Sequence, residues 1–285
     1  MRKENLLGVL VVILMGILMT LLACARHAQP SVDIVGGSVF ISNIVGEVAD
    51  GKLEARTIVQ PGMCPGHHDV KPSDIEALAN SRALIIHNYQ QGFEYIHELV
   101  EAAENPALVI EVVDIVGNWM APPVQAEAID KIASFLGEID QKNAAHYQEK
   151  ADERVQVILA KGVEVRDRLL EAEVGGVKII CGEMQAGFVS WAGFDIVATY
   201  GRPEDFKAGE KAELVAMAKE AGVALVIDNL QSGVTTTLAQ DIGAVQVTLS
   251  NFPGGFDNTE TWEKALDKNI DLLLEALNEW REQYG

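Results

Sequence analysis

The chain has 285 residues, 48% of them hydrophobic and 22% charged. That length allows one large domain or two modest ones, and the composition supports a packed core and excludes general disorder. Acidic residues outnumber basic ones 42 to 22, a net charge of −20, which argues against a nucleic-acid partner and against docking on anionic lipid through a basic face.

Arg2 and Lys3 stand at the start, and Leu6 to Leu22 form an apolar run broken only by Gly8, Gly16 and Thr20. A positive start, an apolar stretch and a small residue predict a secretory signal, with an uncleaved membrane anchor as the alternative. Leu21-Leu22-Ala23-Cys24 resembles the lipobox of bacterial lipoproteins. The resemblance implies a signal peptide over 1–23, lipidation of Cys24 and a tether over 24–32. Either way the remainder lies outside the cytoplasmic membrane, anchored to it or in a periplasm. That compartment permits a disulfide between Cys64 and Cys181, but their separation in sequence does not decide whether they meet.

The β-branched, glycine-punctuated stretch Val32 to Ile41 predicts a strand leading into a loop. Leu53 to Val59 reads as a second strand. Pro72-Ser73-Asp74-Ile75-Glu76 reads as a helix start, with Ser73 as cap and Glu76 three residues on. Ala83 to His87 is a short continuous apolar run, as in a parallel strand covered on both faces. Phe93 to Ala103 reads as helix and Ala107 to Val113 as strand. From about Glu138 to Glu173 the pattern turns charged and long. Ala144, Tyr147, Ala151, Val155, Ile158, Leu159 and Leu169 recur at helical steps, predicting one helix of about 30 residues and roughly 45 Å. Gly162 weakens that helix locally. Strand-and-helix alternation then resumes: Val177 to Cys181, Phe194 to Thr199, a helix over Glu210 to Gly222, Ala224 to Ile227, Thr235 to Ile242, Val245 to Leu249, and a terminal helix over Thr259 to Tyr284 capped by Thr259 or Thr261.

The fold class is therefore α/β. Two lobes, each a mainly parallel sheet flanked by helices, span 33–137 and 174–285 and are joined by one long helix over 138–173. Ligands of such sheets bind beyond the carboxyl ends of strands and in clefts between domains.

The loop Pro61 to Asp74 sits at such an end. It carries Cys64, His67, His68 and Asp69 within six positions, all metal-ligating types. Neighbouring side chains in an extended loop point apart, so one histidine reaches an ion more readily than both. In the second half Cys181-Gly182-Glu183-Met184-Gln185 follows a strand, and Glu183 is either a ligand or a helix-start charge. Asp228, Asn229, Gln231 and Asn251 lie in two further strand-end loops, where they suit a hard cation, a hydrogen-bonded ligand or Asx turns. His87, Glu94 and His97 lie near the first helices, His97 at the surface. Trp119 after Gly117-Asn118 suits the core better than the cleft. No P-loop, G-x-S-x-G, H-E-x-x-H or G-x-G-x-x-G is present.

Together, Pro61-Gly62 through Pro72-Ser73-Asp74, Ile139-Asp140-Gln141-Lys142-Asn143-Ala144-Ala145-His146-Tyr147, Gly222 to Ile227 before Gln231, and Thr237-Leu238-Ala239 through Gly243-Ala244 resemble the solute-binding proteins of zinc/manganese ABC transporters. The likeness covers nearly all of the chain after the signal. It implies two α/β lobes on a rigid helix, a permease and its ATPase as partners, a monomer without catalytic activity, and capture of a divalent ion, Zn²⁺ or Mn²⁺, between the lobes. The family's ligand positions fall on Gly66, on Asn118, near Glu183, and on Asn229 or Ser250-Asn251. The His-rich set is not preserved, and the candidate ligands become His67, His68, Glu183 and Asp228. Cys64, Asn118, Gln185, Asn229, Gln231 and Asn251 are the further candidates for the cleft. Rival readings are the same fold holding a non-metal or chelated solute, an anchored metallohydrolase with Glu183 as general base, and an adhesion lipoprotein.

Overall fold

A computed structural model describes residues 32–202 and 205–284. The predicted signal peptide, Cys24 and the tether up to Ser31 lie outside the described residues. Among those described, no helix is long and apolar enough to cross a membrane.

The first lobe carries strands β1 (Ile34–Ser38), β2 (Ala55–Val59), β3 (Ala83–His87) and β4 (Val109–Val113), all parallel, in the order β2-β1-β3-β4. The second repeats this plan with β5 (Lys178–Gly182), β6 (Asp195–Tyr200), β7 (Leu225–Asn229) and β8 (Val245–Leu249), in the order β6-β5-β7-β8. The period of two splits each strand between faces. Ile34, Ala83 and Ile85 face inward, with Ile179, Cys181, Leu225 and Ile227, into one core shared by both lobes. Val35, Leu84 and Ile86 face a separate outer cluster in the first lobe, and Ile180 and Val226 another in the second. Coverage on both faces explains the apolar runs Ala83 to Ile86 in β3 and Leu225 to Ile227 in β7.

The helices are α1 (Val39–Ala49), α2 (Pro72–Ala79), α3 (Glu94–Ala103), α4 (Pro122–Ile139), α5 (Ala144–Glu171), α6 (Ala186–Ala192), α7 (Ala208–Ala221), α8 (Thr236–Ile242) and α9 (Trp262–Tyr284). Helix α1 replaces the expected loop after β1. Phe40, Ile41, Ile44, Val45 and Val48 are buried at helical spacing, so tertiary burial overrides the β-branched character of the segment. Helix α2 starts two residues earlier than a Ser73 cap would allow. Pro72 is its first residue, and Asp74 Oδ2 accepts from the Lys71 backbone N–H at 3.2 Å. At α9, the Lys264 N–H donates to Thr261 Oγ1 at 3.4 Å, whereas the Thr259 hydroxyl bonds Phe256.

The long helix is shorter than expected and preceded by a second one. Helix α4 ends at Ile139, the chain turns at Asp140, and α5 runs for 28 residues, about 42 Å. Asp140 Oδ2 accepts from Tyr147 Oη and Asn143 Nδ2, both at 2.7 Å, which fixes the turn. Tyr147, Ala151, Ile158, Gly162, Val165 and Leu169 form the buried face of α5, while Leu159 is exposed. Gly162 has a packing reason: a Cβ there would lie 2.8 Å from Pro122 Cβ at the start of α4. Ion pairs hold α5 to both lobes. Arg154 meets Glu47 of α1 at 2.7 Å and also Glu263 of α9, and Lys161 meets Asp267 of α9 at 2.8 Å.

Candidate functional site

Within the order β2-β1-β3-β4, the chain direction of the crossovers reverses between β1 and β3, and likewise between β5 and β7. Crevices at such points, beyond the carboxyl ends of strands, are where open α/β sheets hold ligands. Here the two crevices face one cavity of about 560 Å³, lined from the first lobe by Phe40, Tyr89, Phe93 and Trp119 and from the second by Glu183, Tyr200, Arg202 and Phe252.

His87 ends β3 and lines this cavity. Its Nε2 shares a 2.7 Å hydrogen bond with Ser38 Oγ at the end of β1, and its ring stacks on Tyr89 at 5.0 Å and meets Trp119 edge-on at 4.1 Å. Burial disfavours the imidazolium and pushes the pKa down to about 3, so the ring is neutral at ordinary pH. Its Nδ1 is buried without a partner. Gln90 braces the strand end: its Oε1 accepts from the His87 N–H at 3.1 Å, and its Nε2 donates to Gly37 O at 2.9 Å. Sequence reading noted His87 without giving it a role. The available signal was its place as the last residue of a fully buried parallel strand. Trp119 is both core and wall, 6% exposed.

The loop after β2 divides its histidines, although not by extended-chain alternation: Pro65–His67 form a 3-10 turn and only His68 after it is extended. His67 is exposed, and its Nε2 lies 2.8 Å from an Arg202 Nη, while the other Arg202 Nη donates to Cys64 Sγ at 3.3 Å. His68 turns inward. It hydrogen-bonds Asp74 at 3.1 Å and packs on Tyr95 at 5.2 Å, away from the cavity. Asp228 is also withdrawn and fully buried. Its carboxylate accepts from Tyr200 Oη (2.8 Å), Thr235 Oγ1 (2.7 Å), Thr235 N (2.9 Å) and Gln246 Nε2 (2.8 Å). Glu183 alone of the four expected ligands lines the cavity. The four do not come together, and among the described residues no three His, Cys, Asp or Glu side chains form a group able to hold an ion.

The amide candidates meet more closely. Asn118 Nδ2 donates to Asn251 Oδ1 at 2.7 Å and to Met184 O at 2.8 Å, and Gln231 Nε2 donates to Pro61 O at 2.9 Å, so both pairs cross between lobes. Asn118 Oδ1 accepts from Met120 N, Asn229 Oδ1 from Gln231 N, and Gln231 Oε1 from Asn251 N. The first two are Asx turns. Gln185 is fully buried beneath the cavity wall and bonds Leu249 O at 3.3 Å, its Oε1 unpartnered. Cys64 and Cys181 are both free.

Two parallel four-stranded lobes, a shared core around a long helix and a cavity at the facing strand ends define a two-lobe solute-binding fold. The family model described as zinc-uptake complex component A, periplasmic, matches residues 34–276, and the chain belongs to that family. The family is a periplasmic metal-binding one, so the chain is an extracytoplasmic solute-binding protein whose ligand class is the divalent metal ion. A periplasmic metal binding protein from Candidatus Liberibacter asiaticus is similar in fold, with a TM-score of 0.72 at 13% identity over 86% of this chain and 98% of that one. The Mn-bound form of that protein gives 0.69 at 12% identity, covering 86% and 98%. The solute-binding protein FpvC from P. aeruginosa, in complex with Ni²⁺, gives 0.69 at 15% identity, covering 87% and 97%. No curated protein matches the chain in sequence.

Proposed function

We propose that this chain is the solute-binding component of an ABC importer, tethered outside the membrane by a lipid on Cys24, monomeric, and delivering a divalent metal of the zinc or manganese class to a permease and its ATPase. It works by binding and release, without turnover. The observation that supports this most is the cavity at the facing carboxyl ends of two matching parallel sheets, with polar bonds across its mouth. Such a cavity opens by separating the lobes, and α5, held to α1 and α9 at once, keeps that motion small.

The test has two arms. Cys24→Ala moves the chain from the membrane fraction to the soluble fraction if the tether is a lipid. The full chain, added to proteoliposomes holding its partner permease and ATPase, raises ATP hydrolysis. Absence of both stimulation and co-purification with the permease refutes the importer reading.

A further inference from the structure

We infer that the solute held in this cleft is a divalent metal already wrapped by a small carboxylate-bearing organic chelator, not a bare ion. The inference rests on the solute-binding reading above and concerns what fills the cavity.

A bare dication needs a shell of donors from the protein, typically four in a nitrogen-rich site and about six or more in an oxygen-rich one. The described residues offer no such shell. His68 and Asp228 are committed inside the lobes, and His67 faces Arg202. The oxygens of Asn118, Asn229, Gln231 and Asn251 already accept hydrogen bonds from protein groups. What is left along the walls is the carboxylates of Glu183 and Asp205 and the thiol of Cys64, which already meets Arg202, and no three such groups gather around one point.

The cavity suits something larger. About 560 Å³ falls within the rough 300–1,000 Å³ range of small-molecule sites, which are mostly apolar with few polar anchors. Phe40, Tyr89, Phe93, Trp119, Tyr200 and Phe252 supply ring surface, which a hydrated ion does not use and a chelator's carbon skeleton does. Arg202, which also lines the cavity, has a planar fork that matches a carboxylate. In this arrangement the chelator provides the metal's donors and the rings clasp the chelator. Arg202 takes its carboxylate with the guanidinium N–H groups that His67 and Cys64 leave free.

The experiment is calorimetric titration of the full chain, purified in detergent without chelator, with Zn²⁺ alone and with its 1:1 complexes with pyridine-2,6-dicarboxylate, citrate and histidine. At least one complex binds at one equivalent and about tenfold or more tighter than Zn²⁺ alone. Native mass spectrometry finds metal and chelator bound together. Arg202→Gln weakens that complex by about tenfold, as loss of a charge-assisted pair requires; the Arg202 side chain lies at the mouth, outside the buried core, so the variant folds. The inference is overturned if Zn²⁺ alone binds as tightly as every complex, if nothing binds, or if Arg202→Gln changes no complex affinity. Stimulation of the ATPase by the Zn²⁺-loaded chain alone overturns it while leaving the importer reading intact. Complex binding without any ATPase stimulation does the reverse.

Discussion

Stability falls on acidification through His87. In the unfolded chain an imidazole titrates near 6.5, but the folded ring is pushed down to about 3 by burial. Protons therefore bind the unfolded chain more tightly. The stabilisation is full above the unfolded pKa and is lost progressively as pH falls from about 6.5 toward 3. Between pH 7 and pH 5 the loss from this one group is about 2 kcal/mol, roughly 1.36 kcal/mol per unit over the 1.5 units below 6.5. The groups against the ring, Ser38, Tyr89 and Trp119, are neutral, so nothing there rescues an imidazolium. Urea unfolding at the two pH values, for the wild type and for His87→Gln, isolates the effect, because the carboxylates and other histidines titrate in both proteins. The wild type loses about 2 kcal/mol more than the variant. Parallel losses would refute the assignment of a buried neutral histidine at the end of β3.

The paired histidines separate by stability. His67→Ala costs about 1 kcal/mol, the net worth of its one bond to Arg202, whereas His68→Ala costs about 2–4 kcal/mol through its lost packing on Tyr95 and its bond to Asp74. Helix propensity alone makes Gly162→Ala stabilising by about 1 kcal/mol. The 2.8 Å approach to Pro122 Cβ reverses the sign to a net loss of about 1 kcal/mol, and a higher melting temperature would show that α4 and α5 separate freely. Asp228→Asn turns an amide N–H₂ toward the donors of Thr235 and Gln246. It costs about 2–4 kcal/mol in chemical denaturation, and a neutral result would place Asp228 outside that network.

The alternation of strands and helices was legible because each strand is short, apolar and bounded by polar turns, and Val245–Leu249 coincides with the expected strand. Helix α1 was not, because β-branched residues dominate a segment whose helical spacing shows only when Val39–Ala49 is read as one window. Helix α4 hid between the Gly117-Asn118 loop and the charged run that drew attention to α5. The break at Asp140 depends on Tyr147 reaching back seven residues, a contact no local pattern records. At the site, residue type pointed to loops that border the cavity, but two of the four expected ligand side chains turn away from it. His68 and Asp228 are ligand-type groups used up by hydrogen bonds inside their own lobes. His87, the last residue of an apolar strand, carries one of the buried polar atoms left without a partner, as does Gln185. Whether a donor is free is a tertiary property, and a spacing rule cannot see it.

The same bookkeeping of free and used groups bears on loading. The mouth is held by Gln231 to Pro61, Asn118 to Asn251 and Met184, and Arg202 to His67. At about 1 kcal/mol net for each such hydrogen bond, separating the lobes costs on the order of 4 kcal/mol, an open fraction of about one in a thousand. That cost lowers the apparent affinity by the same factor, so a solute has to recover it from contacts made only after closure. Aromatic walls contributed by both lobes do this for a ligand large enough to touch Trp119 and Phe252 together. A single ion touching Glu183 does not, because its contacts with one wall are the same whether the cleft is open or shut.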